Sequence, residues 1–178
     1  IKNKHTLVTG VNGSGKSTLL GIMSGILVPE KGMVNSISNR YAYVGATPLI
    51  VKGTLRDNLL YGNNLDISDD VMNEYIHRYK LFNENNTKSL HKEVTNKTLS
   101  SGQMQKVSFI RAMLSQPDIL FLDESTSNLD YDSKKLINQQ LIDSNLTIIN
   151  STHNIQEIKF DIHYVIDIKD DKRKLREA

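Results

Sequence analysis

The sequence predicts an α/β domain: a mostly parallel sheet flanked by helices, with a helical subdomain inserted into it. Short β-rich runs alternate with helical stretches along most of the 178 residues, the order expected of strand-helix-strand units. The run Ile119-Leu120-Phe121-Leu122 is apolar at every position, as in a strand buried on both faces. A glycine-rich segment directly follows the first such run, Thr6-Leu7-Val8-Thr9.

Taken in order, strands are expected over 6–9, 40–45, 119–122, 146–150 and 164–168. Helices are expected over 17–25, 68–79, 101–115 and 131–142, with a short one over 154–158. Pro117 closes the third helix, because proline cannot continue one and biases its neighbour to an extended form. Residues 54–98 carry Asn-rich polar stretches and helical spacing but no β-run, and are expected as a helical lobe inserted into a single domain spanning 1–178. Residues 169–177 mix charges of both signs and read as a solvated tail.

Composition narrows the function classes. The net charge is +2 and its charges are scattered, so neither a nucleic-acid partner nor an anionic membrane surface is expected. Without cysteine there are no disulfides and no thiolate metal sites. The longest apolar region, 19–28, is interrupted by Gly21, Ser24 and Gly25 and is shorter than the ~18 residues that span a bilayer. The chain opens on Ile1 with a strand almost at once, the expectation for a segment of a longer polypeptide.

Gly10-Val11-Asn12-Gly13-Ser14-Gly15-Lys16-Ser17-Thr18 is a complete Walker A loop between a strand and a helix. Glycines let successive backbone N–H groups and the next helix N-terminus converge on phosphate oxygens. In such a loop Lys16 reaches the β- and γ-phosphates and the Ser17 hydroxyl ligates Mg²⁺. The metal needs an acidic partner, and Asp123 and Glu124 end the apolar run at 119–122. Asp123 is the expected Mg²⁺ ligand, and Glu124, one residue on, is the expected base for an attacking water. Together these predict nucleotide binding with metal-assisted hydrolysis.

Leu99-Ser100-Ser101-Gly102-Gln103 precedes a helix some twenty residues before Asp123. At this point the chain resembles the ATP-binding-cassette (ABC) family, whose signature reads Leu-Ser-Gly-Gly-Gln. Ser127-Asn128-Leu129-Asp130 looks like that family's D-loop, and His153 in Ser151-Thr152-His153 looks like its switch histidine. The resemblance implies that Ser100, Gly102 and Gln103 form a second anion site closing on ATP held by another cassette. It implies that Asp130 makes contacts across that interface and that His153 touches the γ-phosphate. Gly53-Thr54-Leu55-Arg56-Asp57-Asn58-Leu59 resembles a run of exporter-type cassettes. An exporter would add transmembrane domains, fused upstream, with the cassette on the cytoplasmic face of the membrane.

Two departures stand out. Ser101 replaces the third signature residue; it is small and suits a helix N-cap, and weakens the sandwich little. Ala46 occupies the place of a glutamine whose amide oxygen is a Mg²⁺ ligand in the family. A methyl group supplies no such oxygen, so ATP binding is expected to persist while hydrolysis slows. Two alternatives to the exporter stay open on sequence: a ribosome- or DNA-associated ABC ATPase, and a degenerate cassette that binds ATP but turns it over weakly.

Overall fold

The computed structural model describes residues 3–36, 38–82, 89–153, 159–169 and 172–178. The helix expected over 154–158 lies outside the described residues. Backbone proximity divides the chain into two compact units, one of residues 1–45, 117–124 and 141–178 and the other of residues 46–116 and 125–140.

The first unit carries the sheet. Its strands are β1 (His5–Gly10), β2 (Tyr41–Val44), β5 (Ile119–Asp123), β6 (Thr147–Ser151), β7 (Ile162–Lys169) and β8 (Lys172–Glu177). They lie in the order β2-β5-β6-β1-β7-β8. All pairs are parallel except β7 with β8. The expected mostly parallel sheet is therefore what the chain builds. Every residue of β5 is buried, which explains why its sequence is apolar without alternation.

Helix α1 (Lys16–Met23) packs on this sheet. Val8, Leu20, Ile119, Phe121 and Ile166 form the buried cluster beneath it, with Leu19, Met23, Tyr43 and Ile149 at its margin. Each fully buried aliphatic or aromatic side chain of this kind contributes about 1.5–3 kcal/mol. The helix and the loop before it are thus seated on a buried apolar cluster.

The charged segment read as a solvated tail is instead mostly strand: β8 pairs with β7 from Tyr164↔Glu177 to Lys169↔Lys172. Every β8 residue is nevertheless exposed. A charged edge strand is formed by backbone pairing rather than by apolar burial, and its charges discourage further pairing.

The second unit holds α2 (Leu55–Leu60), α3 (Asp69–Arg78), α4 (Ser101–Leu114) and most of α5 (Tyr131–Ile142). It also contains a two-stranded antiparallel ladder absent from the sequence reading, β3 (Gly53–Thr54) with β4 (Glu93–Val94). The exporter-like run has a local job here. Thr54 and Asp57 form a capping box at the start of α2. The fully buried Asn58 exchanges hydrogen bonds with Val51 and donates to the Thr54 carbonyl. Arg111 on α4 then donates to the carbonyls of Asn58, at 2.7 Å, and Leu49, at 2.9 Å, so one guanidinium fastens the whole turn.

One acid-sensitive position sits at the start of β1. His5 has a buried Nε2 without a partner among the described residues. Burial lowers its pKa below 6.5, outweighing the opposing pull of Asp161. Above 6.5 the ring is neutral in both folded and unfolded chain; below it the unfolded chain takes the proton more readily. Stability should therefore fall as pH drops from 6.5 towards the lowered folded-state value. Thermal melts at about pH 7.5 and pH 5.5 should show a larger drop for the parent than for His5→Gln.

Candidate functional site

Parallel pairing aligns the business ends of three neighbouring strands. Val8 pairs with Ser151, and Ser151 with Asp123. Gly10, the last residue of β1, Glu124, directly after β5, and His153, two residues past β6, therefore lie at the same end of the sheet. In open α/β sheets this carboxyl end is where ligands bind.

The glycine loop is built to receive an anion. Gly15, at φ +98°, is the N-cap of α1 and offers no side chain to its first N–H groups, which leaves them to an external acceptor. Lys16 is buried and its Nζ donates to the carbonyls of Gly10, at 3.0 Å, and Val11, at 3.3 Å. This curls the ammonium over the loop. Ser14 Oγ is fully buried with no partner among the described residues, whereas Ser17 and Thr18 are exposed at the first turn of α1. A cavity of about 510 Å³ opens against Gly13, Gly15 and Thr18. A smaller apolar cleft of about 260 Å³ lies between α1 and the sheet; it lacks the loop's polar donors and does not suit a phosphate.

Asp123 is buried, and both of its carboxylate oxygens are engaged. Oδ2 accepts from the Tyr43 hydroxyl at 2.9 Å, and Oδ1 from the Ser151 hydroxyl at 2.5 Å. Burial and the adjacent carboxylate push the Tyr43 hydroxyl's pKa well above its ordinary value, so it remains a donor. Glu124 has φ +49°, a left-handed conformation that costs a non-glycine residue roughly 1–2 kcal/mol. Its N–H donates to the Ser151 carbonyl at 2.9 Å. Its Oε1 meets His153 Nε2 at 2.8 Å, with both side chains partly open to solvent. The strained backbone turns the carboxylate onto the histidine and away from the direction that an extended continuation of β5 would give it.

The donor set fits both groups that the sequence implies. An uncapped helix end with a lysine above it suits phosphates. One carboxylate and one hydroxyl are the hard oxygen ligands with which Mg²⁺ is held when substrate phosphates complete its shell.

The remaining sequence-predicted residues stand in the second unit. Ser100, not Ser101, is the N-cap of α4: its Oγ accepts from the Gln103 N–H at 3.2 Å, and Gln103 Oε1 accepts from the Ser100 N–H at 3.0 Å. Ser101 is the exposed first residue of the helix, so its suitability as an N-cap is not used. A side chain at Gly102 would stand 3.5 Å from the Asn128 carbonyl, an ordinary contact. Asp130 accepts from the Ser133 N–H at 2.8 Å and the Ser133 hydroxyl at 3.0 Å, bonds that lower its pKa, with Lys106 adding a smaller pull. Ala46 is held through its backbone, its carbonyl accepting from Asn128 Nδ2 at 2.8 Å.

Sequence reasoning did not find Tyr43, Ser151 or Arg173 as site residues. Arg173, on β8, lines the larger cavity, with Nη2 at 3.5 Å from the Gly13 carbonyl. A hydroxyl at the end of a mostly buried strand was the available signal for Ser151; it needed the register to be read.

A parallel sheet with a glycine loop at its carboxyl edge and an acidic strand end beside it defines a P-loop nucleotide-binding domain. The family model described as ABC transporter matches residues 2–127, and the chain belongs to that family. It is an ATP-binding domain with ATPase activity. It is 31% identical over 172 residues to a glutathione/L-cysteine transport system ATP-binding/permease protein of Haemophilus influenzae, covering 88% of this chain and 29% of that protein. It is 34% identical over 168 residues to a sublancin-168-processing and transport ATP-binding protein of Bacillus subtilis, covering 86% of this chain and 24% of that protein. With an energy-coupling factor transporter ATP-binding protein of Pediococcus pentosaceus it shares 30% over 186 residues, covering 93% of this chain and 65% of that protein. The chain thus spans less than a third of the length of the first two relatives.

Proposed function

We propose that this chain is a single ATP-binding cassette of an exporter, with a helical subdomain at about 54–98, and that it powers transport by closing on ATP against a second cassette. The Glu124–His153 pair at the end of β5, 2.8 Å apart, carries the catalytic part of this reading. The loop from Gly10 to Thr18 holds the phosphates. Ser17 and Asp123 hold Mg²⁺, which supplies charge neutralisation at the phosphates when bound. Glu124 orients and deprotonates the attacking water, and His153 holds the Glu124 carboxylate in place beside the γ-phosphate. The α4 tip at Ser100, Gly102 and Gln103 closes on the partner's nucleotide, and Asp130 carries contacts across the interface.

Support for the exporter comes from the 53–59 run and from two relatives whose names join ATP binding to a permease or to processing and transport. On this reading the partners are transmembrane domains fused upstream, and the cassette lies on the cytoplasmic face. Among the described residues no helix is long and apolar enough to cross a membrane. Light scattering with ATP and Mg²⁺, in a Glu124→Gln background, should show a dimer. Adding Ser100→Arg should leave a monomer whose affinity for a fluorescent ATP analogue matches that of the parent measured at protein concentrations too low for dimerisation. A chain that stays monomeric at every ATP concentration would sink the sandwich.

Ala46 favours a second reading, a cassette with restrained hydrolysis, because its backbone is anchored by Asn128 while its methyl group offers no metal ligand. Restoring the amide with Ala46→Gln should raise single-turnover hydrolysis several-fold if that reading holds. An unchanged rate discards it.

A further inference from the structure

The Asp123 carboxylate is held from both neighbouring strands, an arrangement the activity alone does not require. β5 lies between β2 and β6. Tyr43 of β2 pairs with Phe121, two residues before Asp123 and so on the same sheet face. From there its hydroxyl reaches Asp123 Oδ2 at 2.9 Å. Ser151 of β6 pairs directly with Asp123 and gives its hydroxyl to Oδ1 at 2.5 Å. Ser151 is fully buried and Asp123 is 8% exposed, so water competes weakly for these bonds.

We infer that Tyr43 and Ser151 are positioning residues that fix the Asp123 carboxylate for Mg²⁺. The inference rests on the metal role proposed above for Asp123. An ionised carboxylate has about four lone-pair sites. One hydroxyl on each oxygen fixes the rotation of the group and still leaves acceptor capacity on both. A ligand whose orientation is set beforehand loses little freedom when the metal arrives. Residues that orient a metal ligand in this way typically change metal affinity by about 10–100-fold when removed.

The test titrates Mn²⁺ by electron paramagnetic resonance into the full chain saturated with a non-hydrolysable ATP analogue. In parallel, the affinity for a fluorescent ATP analogue is measured in EDTA. Tyr43→Phe and Ser151→Ala should each raise the Mn²⁺ half-saturation about tenfold, leave the metal-free nucleotide affinity within about twofold of the parent, and still unfold in one cooperative thermal transition, at a lower midpoint because a buried hydrogen bond is lost. Ser151→Thr, which retains a hydroxyl, should restore parent-like Mn²⁺ binding. Parent-like Mn²⁺ binding in both Tyr43→Phe and Ser151→Ala overturns the clamp, and so does an equal loss of nucleotide affinity in EDTA. Asp123→Asn separates the two levels. If it loses Mn²⁺ while the hydroxyl variants keep it, the clamp alone is wrong; if it also keeps Mn²⁺, the metal assignment falls with it.

Discussion

Glu124→Gln should lower single-turnover ATP hydrolysis by about 10²–10⁴-fold, the range expected for losing a positioned general base. The change is nearly isosteric. An amide oxygen can still meet His153 Nε2, which now stands 2.8 Å from Glu124 Oε1, and the backbone bond to Ser151 is untouched. The left-handed backbone at φ +49° costs glutamine about what it costs glutamate. Only the capacity to take a proton disappears. Affinity for ATP should therefore stay within a few-fold of the parent, measured with a fluorescent analogue. Hydrolysis at the parent rate would show that the base lies elsewhere. His153→Ala should also slow the reaction, since Glu124 then loses the group that holds its carboxylate.

Gly10→Ala should abolish nucleotide binding and cost stability. Its backbone lies at φ +153°, and an added Cβ would stand 2.7 Å from Ser14 Oγ and 2.8 Å from the Ile166 carbonyl. The serine hydroxyl can rotate, but the carbonyl belongs to β7, paired with β1 at this very position. Relief must come from moving the loop. The Lys16 ammonium bonds the Gly10 carbonyl at 3.0 Å, so moving the loop displaces the cation as well. A strained backbone of this kind costs roughly 1–3 kcal/mol, readable as a lower denaturant midpoint. Retention of ATP affinity within about twofold would mean that the loop tolerates the shift and that the close approach is incidental.

The sheet and the loop were legible because their signals are local. β5 is apolar at every position before Asp123, and the glycine pattern from Gly10 to Thr18 needs no partner to be read. The failures share a cause: they depend on pairing between distant segments. β8 is charged and exposed throughout, so only its backbone ladder with β7 makes it a strand. β3 and β4 are two residues each and stabilise one another across nearly forty residues of sequence. The hydroxyls on Asp123 come from residues 80 and 28 positions away, and no spacing rule announces them. The start of α4 at Ser101 was legible, and although Ser100 and Ser101 both suit a cap, Gln103, three residues after Ser100, is the signal that assigns the cap to Ser100.

The alignment of Val8, Ser151 and Asp123 across the sheet also makes strand registration a determinant of chemistry. Were β6 to slip by one residue, Asn150 or Thr152 would stand opposite Asp123, and alternation would turn the serine hydroxyl to the other face. His153 would leave Glu124 in the same movement. Lesions deep in β6, at Ile148 or Ile149, would then masquerade as defects of the reaction, although neither side chain belongs to the proposed catalytic or metal-binding set.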